Sequence, residues 1–109
     1  MTKIELIDKL TILPGLIETA ENEVIKATNN IQLAKDALLA KEDELLLSGV
    51  IDGKNVETRT AQMRANTFVQ KHAVQQAENM ASGARVGLNR LVNELAVCRA
   101  IADILRGCE

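Results

Sequence analysis

A seven-residue repeat of branched apolar side chains runs through the first half of the chain. Its members are Ile17, Val24, Ile31, Leu38 and Leu45. Alanines follow the first three members after three positions, at Ala20, Ala27 and Ala34. A repeat with alternating steps of three and four residues places its side chains on one stripe of an α-helix, as in coiled coils. Because small alanines occupy part of the stripe, the pattern predicts a helix that packs closely against a partner helix.

A second repeat with the same spacing fills the second half of the chain. Its two sets of positions are Thr60, Thr67, Val74, Ala81, Leu88, Leu95 and Ala102, and Met63, Gln70, Ala77, Ala84, Leu91, Cys98 and Leu105. The polar members Thr60, Thr67 and Gln70 either fix register or oligomeric state, or lie on a helix rotated so that they are partly exposed. From Leu91 onward apolar residues occur on nearly all sides, which is typical of a helix buried all round.

Few residues interrupt these repeats, so the chain divides into three helical segments. The only proline, Pro14, lies between a short amphipathic segment, about residues 2–13, and the first repeat, about 14–47. Because proline cannot donate the backbone hydrogen bond of a continuing helix but fits the first turn of a new one, the helix either kinks or restarts at this position. The third segment covers about residues 55–106. Within it, Gly83 and Gly87 mark a candidate break, bend or close helix contact near 82–87.

The turn before the third segment contains residues that end one helix and begin the next. Gly49 is suited to close the second helix in the left-handed conformation. Asn55 is suited to cap the third helix, with Glu57 in its first turn. A short turn of this kind makes the two long segments antiparallel neighbours.

We therefore expect an all-α fold with a single helical domain over residues 1–109. The expected architecture is a long antiparallel helical hairpin with a short N-terminal helix, assembling into a coiled-coil-like helical bundle. Residues whose numbers sum to about 103 should lie side by side. This register places Ile4 and Ile7 beside the apolar stretch around Val97 and Ile101.

Charge is distributed unevenly along the chain, although the net charge is only −2. Residues 1–52 have a net charge of −5 and residues 53–109 have a net charge of +3. Every arginine lies in the third segment. Acidic residues crowd the C-terminal end of the second helix, where the helix dipole disfavours negative charge. We expect a structural clamp at the loop formed by Asn55, Arg59 and Glu44, in which the guanidinium of Arg59 contacts the carboxylates.

Four arginines share one flank of the third segment, because multiples of seven residues separate them. These are Arg64, Arg85, Arg99 and Arg106. Their side chains either pair with the acidic arm, which is the interpretation we favour, or follow a phosphate backbone. A net charge of −2 provides no overall positive field that would attract a polyanion, so nucleic acid is not the expected partner.

Residue types that form catalytic and metal sites are scarce and scattered. The only histidine, His72, lies opposite the second repeat. Glu18 and Glu21 share a helical face, but the Glu-x-x-His pairs of carboxylate-bridged metal bundles do not occur. The turn at residues 52–55 has one glycine and no phosphate-loop pattern. We expect no catalytic residue, no bound metal and no cofactor.

Composition disfavours several further functions. Aromatic residues make up 1% of the chain, so the stacking platforms of single-strand binders are not expected. Cys98 and Cys108 are too few for a disulfide framework and are expected to be reduced thiols. No apolar stretch has the length of a membrane span, and charges at Lys3, Glu5 and Asp8 interrupt any signal-peptide core. The expectation is a cytoplasmic protein with no membrane partner.

The twelve residues from Gly53 to Arg64, GKNVETRTAQMR, resemble a pattern in small helical-hairpin proteins of phages and prophages. There, a glycine or polar turn leads to Asn, then to Arg four residues later, then to Ala and a hydrophobic residue. Those proteins are often encoded near recombination or replication genes, and many have no assigned activity. The resemblance implies that Asn55 and Arg59 are structural loop positions, and it implies no catalytic residues.

The sequence thus predicts a non-enzymatic helical interaction protein, linked through the resemblance to phage DNA metabolism. We expect a homo-oligomer, dimer or higher, because an isolated hairpin covers only one stripe of each helix. The expected oligomer seam consists of Ile17, Val24, Ile31, Leu38, Leu88, Leu91 and Leu95. A second protein is the expected further partner. The alternative function is a nucleic-acid-binding accessory protein that uses the arginine flank.

Overall fold

The computed structural model describes residues 1–108, which form three α-helices and contain no strand. Helix α1 covers Lys3–Ser48, α2 covers Val56–Asn66 and α3 covers Phe68–Gly107. Helices α1 and α3 pack as an antiparallel hairpin, which confirms the predicted all-α hairpin class. None of these helices within residues 1–108 combines the length and the apolar character that crossing a bilayer requires.

The predicted helix boundary at Pro14 is wrong, because α1 continues through this residue without interruption. Proline removes one backbone hydrogen bond and costs roughly 3 kcal/mol within a helix. Pro14 itself is exposed, whereas the apolar stripe continues on both sides of it, with Leu13 buried and Ile17 half-buried. Packing of this stripe holds both flanking turns in one helix, so the separate N-terminal helix does not form.

The third segment is interrupted at Thr67 and not near residues 82–87. Thr67 has φ −119° and ψ 13°, and its Oγ1 donates a 2.7 Å hydrogen bond to the backbone carbonyl of Met63. A hydroxyl that bonds the carbonyl four residues earlier competes with the helical backbone bond at that carbonyl. Gly83 and Gly87 are helical, and a Cβ atom at either would meet open space, so neither serves a close helix contact.

Two compact units make up the chain, and both long helices contribute to each. The first unit contains Met1–Lys26 and the part of α3 from Ser82 onward. The second unit contains Ala27–Ala81, and therefore the turn and α2.

In the first unit, Leu6, Leu13 and Cys98 form the buried centre of the core. Around them pack Leu10, Leu91, Leu95, Ile101, Ala102 and Leu105. Burying a leucine side chain contributes about 1.5–3 kcal/mol, so this cluster is the main attachment of the α1 and α3 stretches within the unit.

The predicted register is confirmed in the first unit, where Lys9 forms an ion pair with Glu94. The two residue numbers sum to 103, the value predicted for residues that lie side by side in the hairpin. Ile4 and Ile7 are 74% and 61% exposed and lie outside the buried core, although Ile7 lines a groove together with Ala102 and Leu105. Leu6 and Leu10 pack in the core instead, because they continue the repeat of Leu13 and Ile17 towards the N-terminus.

In the second unit, the buried residues are Leu45, Thr67 and Ala81. The polar members of the second repeat behave differently from one another: Thr67 is fully buried, Gln70 is half-buried and Thr60 is exposed. The exposure of Thr60 agrees with the interpretation of a rotated helix, whereas a role of Thr67 and Gln70 in register or oligomeric state stays a prediction. The repeat faces inward from Met63 onward, whereas Thr60, in the preceding turn of α2, faces solvent.

Candidate interaction surfaces

The turn between α1 and α2 is closed at both ends by the residues that the sequence indicates. Gly49 has φ 78°, which lies in the left-handed region, and ends α1. Asn55 is the N-cap of α2, and its side chain accepts a 2.8 Å hydrogen bond from the backbone N–H of Thr58. These two predictions of helix termini are confirmed.

The predicted contact of Arg59 with Glu44 does not form within residues 1–108. Arg59 Nη1 donates instead to the backbone carbonyl of Gly53 at 3.3 Å, and Glu44 pairs with Lys41 one turn earlier in α1 at 3.5 Å. A lysine on the same helix reaches the carboxylate without spanning the turn, so Lys41 compensates the acidic end of α1. Arg59 still stabilises the loop, but it does so through the backbone.

Gln62 fastens this loop, and sequence reasoning missed it. Its Oε1 accepts from the backbone N–H of Gly53 at 2.9 Å, and its Nε2 donates to Asp52 Oδ1 at 2.7 Å. The residue lies two turns inside the helix that Asn55 caps, on the face turned back towards the loop. That spacing is the only sequence signal of the contact, and many surface glutamines share it.

All seven residues assigned to the oligomer seam are partly covered by the chain itself. Leu91 and Leu95 pack on the core of the first unit. The others, Ile17, Val24, Ile31, Leu38 and Leu88, are half-buried. Both repeats therefore form the contact within the hairpin, and surfaces outside the repeats remain for association.

Large apolar side chains outside the repeats are widely exposed. On α1 in the second unit, these include Leu33, Leu39, Leu46 and Leu47, the last of them 89% exposed. On α3 of the same unit, Phe68, Val69 and Met80 are exposed. Large apolar side chains exposed in this number are candidates for interaction surfaces on a soluble protein.

A groove of about 330 Å³ lies between α1 and α3 in the second unit. It is lined by Ala27, Asn30, Ala34, Ala73, Gln76, Ala77 and Met80. Alanines line the floor, so the groove exists because no large side chain fills the space between the helices. Its two amides provide hydrogen-bonding groups at the rim.

The first unit has a second groove, of about 410 Å³, near the start of α1. Its lining is Lys3, Leu6, Ile7, Leu10, Ala102, Leu105 and Arg106. The basic group of Arg106 forms an ion pair with Asp103, one turn earlier in α3. This groove is therefore apolar with basic residues at its edge.

Lys9 and Glu94 form the ion pair that joins α1 to α3 in the first unit. Their side chains are 43% and 41% exposed. The hydrogen bond and the negative charge of Glu94 raise the pKa of Lys9 above its ordinary value of 10.5. Because the pair is solvated, its main effect is to fix the register of the two helices.

The predicted pairing of the arginine flank with the acidic arm is wrong within residues 1–108. Arg64, Arg85 and Arg99 are exposed and make no ion pair there, and Arg106 pairs with Asp103 of its own helix. Arg64 lies in the second unit, whereas the other three lie in the first. An ion pair between the arms uses Lys9 and Glu94 instead, since these residues flank the packed stripes directly.

Candidate catalytic groups are dispersed over residues 1–108. His72 is exposed and stacks on Phe68, with ring centroids 6.3 Å apart. No group of three or more His, Cys, Asp or Glu side chains in these residues is arranged to hold a metal ion. Cys98 and Cys108 are free thiols, the first buried in the core and the second exposed.

No family model, curated protein or solved structure matches this chain. The resemblance of the loop segment to phage helical proteins therefore stays a prediction.

Proposed function

We propose that this chain is a non-enzymatic helical interaction protein that self-associates and presents a surface to another protein. The observation that carries the proposal is the area left exposed. The chain exposes 7940 Å², whereas a folded monomer of its mass exposes about 6,000 Å². The excess of about 2,000 Å² exceeds the roughly 800 Å² that each partner loses in a standard protein–protein interface.

Apolar character supports the same proposal. Of the side chains in residues 1–108, only Leu6, Leu13, Leu45, Thr67, Ala81 and Cys98 are buried. Many large aliphatic side chains are exposed instead, including Ile12, Leu33 and Leu39. Removing apolar surface from water contributes about 25 cal/mol per Å² before the costs of association are counted. Association with a second copy that covers these side chains is therefore strongly favoured.

The mass in solution tests self-association. Light scattering or sedimentation should give twice 11.9 kDa or a higher multiple at micromolar concentration. A monodisperse species of 11.9 kDa across the accessible concentration range would contradict the proposal.

The resemblance of residues 53–64 to phage helical proteins extends the proposal to a protein partner in phage DNA metabolism. Affinity capture from the native host tests this extension. Recovery of a recombination or replication protein supports it, and recovery of unrelated proteins alone contradicts it.

A nucleic-acid-binding accessory role is the second candidate, and the arginine flank favours it. Arg64, Arg85 and Arg99 are exposed and make no ion pair within residues 1–108, so their charges are accessible to phosphates. Duplex DNA at low salt should then bind with an affinity that falls steeply with added salt. Changing Arg85 and Arg99 to Ala should weaken binding and reduce the salt slope. Arg90→Ala, off this flank, is the matched control, and absence of binding at low salt would exclude the role.

A further inference from the structure

The lining of the groove in the second unit contains no charged side chain. The residues beside it directly precede repeat members and are uncharged: Asn30, Ala37, Asn66, Ala73 and Met80. Three of these five, Asn30, Ala73 and Met80, line the groove itself. Two charged residues at equivalent repeat positions, Glu44 and Arg59, lie nearer the turn and outside the groove lining. Met80 is 71% exposed, so an apolar side chain stands free at the groove edge.

The opposite side of the same unit is charged. Four charged residues on this side directly follow repeat members, namely Lys35, Arg64, Lys71 and Glu78, and Glu42 lies seven residues after Lys35. Charged residues are depleted from the centres of protein interfaces, whereas Met is enriched there. At the level of the groove, one side of the helix pair therefore has the composition of an interface centre and the other side has the composition of a solvated surface.

Another exposed apolar surface of this unit, the leucine stripe of Leu33, Leu39 and Leu46, is less suited to self-association. Asp36 and Asp43 lie between these leucines at helical spacing. In a symmetric dimer the same patch meets itself, so the aspartates of two copies would lie together, and juxtaposed like charges are unfavourable. The groove side carries no such charge in its lining.

We infer that the groove side of the second unit is the dimer interface, and that its occupant is a second copy of this chain. The inference rests on the proposed self-association and names its surface. In a two-fold arrangement, Met80 of each copy enters the alanine-lined groove of the other. The alanine floor, Ala27, Ala34 and Ala77, allows the helices of the two copies to approach closely. The amides of Asn30 and Gln76 lie at the rim, where polar groups of interfaces concentrate. The excess exposed area of the chain is large enough for a stable homodimer of this kind.

Two charge insertions on opposite walls of the groove test the interface. Ala73→Arg lies on α3 and Asn30→Arg lies on α1, and both positions are exposed, so each variant keeps its packing within the chain. Each variant should raise the dimer dissociation constant by at least about tenfold, because two unpaired charges are buried at the two-fold interface. Ala100→Arg, at an exposed position of α3 in the first unit, is the matched control and should associate as the wild type does.

Sedimentation equilibrium of the four proteins, with helicity checked by circular dichroism, gives distinguishable outcomes. Weakened association of both groove variants with an unchanged Ala100→Arg protein supports the inference. If the wild type associates and both groove variants associate as tightly as it does, the inference is overturned and the proposed self-association remains intact. A monomeric wild type overturns both and leaves the groove for a different protein.

Discussion

At the scale of single residues, Gly53 is the position where the backbone leaves least room. A Cβ atom there would lie 2.7 Å from Thr58 Cγ2 and 2.9 Å from the backbone nitrogen of Arg59. The same residue donates its N–H to Gln62 and accepts from Arg59. The turn therefore depends on glycine for its close approach, and two side chains of α2 hold it in place.

Gly53→Ala should lower the free energy of unfolding by about 1–3 kcal/mol, the range for an added methyl group that forces its surroundings to move. Urea unfolding followed by circular dichroism measures the change. Gly83→Ala is the matched control, because a Cβ atom there meets nothing within 4 Å and the residue is helical. That variant should gain about 0.5–1 kcal/mol through helix propensity. Equal stability of the two variants would refute the close contact at Gly53.

Residue-level prediction from sequence succeeded where the contact is local. The cap at Asn55 and the left-handed Gly49 follow from the backbone groups that every helix end leaves without partners. Gln62 escaped prediction because its partners lie nine and ten residues earlier in the chain. Arg59 was assigned the wrong acceptor, since a nearby carbonyl competes with carboxylates that have partners on their own helix.

At the scale of helices, the inward faces of α1 and α3 were predictable almost position by position. The two repeats supply the half-buried and buried stripe, because steps of three and four residues allow only one shared face. Helix ends were less predictable, since they depend on competition between tertiary packing and local preference. At Pro14, packing of the stripe around Leu13 outweighs the local preference of proline, and the helix continues. At Thr67, the helix is interrupted although ordinary helix formers lie on both sides.

The ion pair between α1 and α3 makes a prediction about pH. Glu94 raises the pKa of Lys9 in the folded chain above its value of 10.5 in an unfolded one. The pair therefore stabilises the fold fully below pH 10.5, and this contribution is lost as the pH rises through the higher folded pKa. Glu94→Gln should lower the melting temperature slightly at pH 7, and the difference from wild type should shrink above that window.

Thermal unfolding from pH 7 to pH 12, followed by circular dichroism, measures this difference. Glu78→Gln is the control, because Glu78 is exposed on α3 and makes no ion pair within residues 1–108. A Glu94→Gln protein that matches the wild type at pH 7, or differs from it equally at every pH, would show that the pair does not contribute in this way.

At the scale of the whole molecule, the repeats that predicted association serve the chain's own hairpin. The expectation of a seam between copies was reasonable from the sequence, because a heptad stripe does not specify whether its partner helix is internal or external. The structure uses the stripe internally and still leaves 7940 Å² exposed. Association, as we propose it, therefore uses the flanks of the stripes, where Ala73 and Met80 stand beside the groove.

This arrangement predicts that stability depends on protein concentration. If a folded dimer is in equilibrium with unfolded chains, mass action raises the melting temperature as the concentration rises. A hundredfold increase in concentration adds about 2.7 kcal/mol to the free energy that favours association. That amount shifts the melting temperature of a domain of about 100 residues by several degrees. The Ala73→Arg variant should show little of this dependence, whereas Ala100→Arg should retain it. Melting curves of each protein at two concentrations about a hundredfold apart distinguish the cases. A wild-type melting temperature that does not change with concentration would contradict the prediction, because it would show that the hairpin is stable without a second copy.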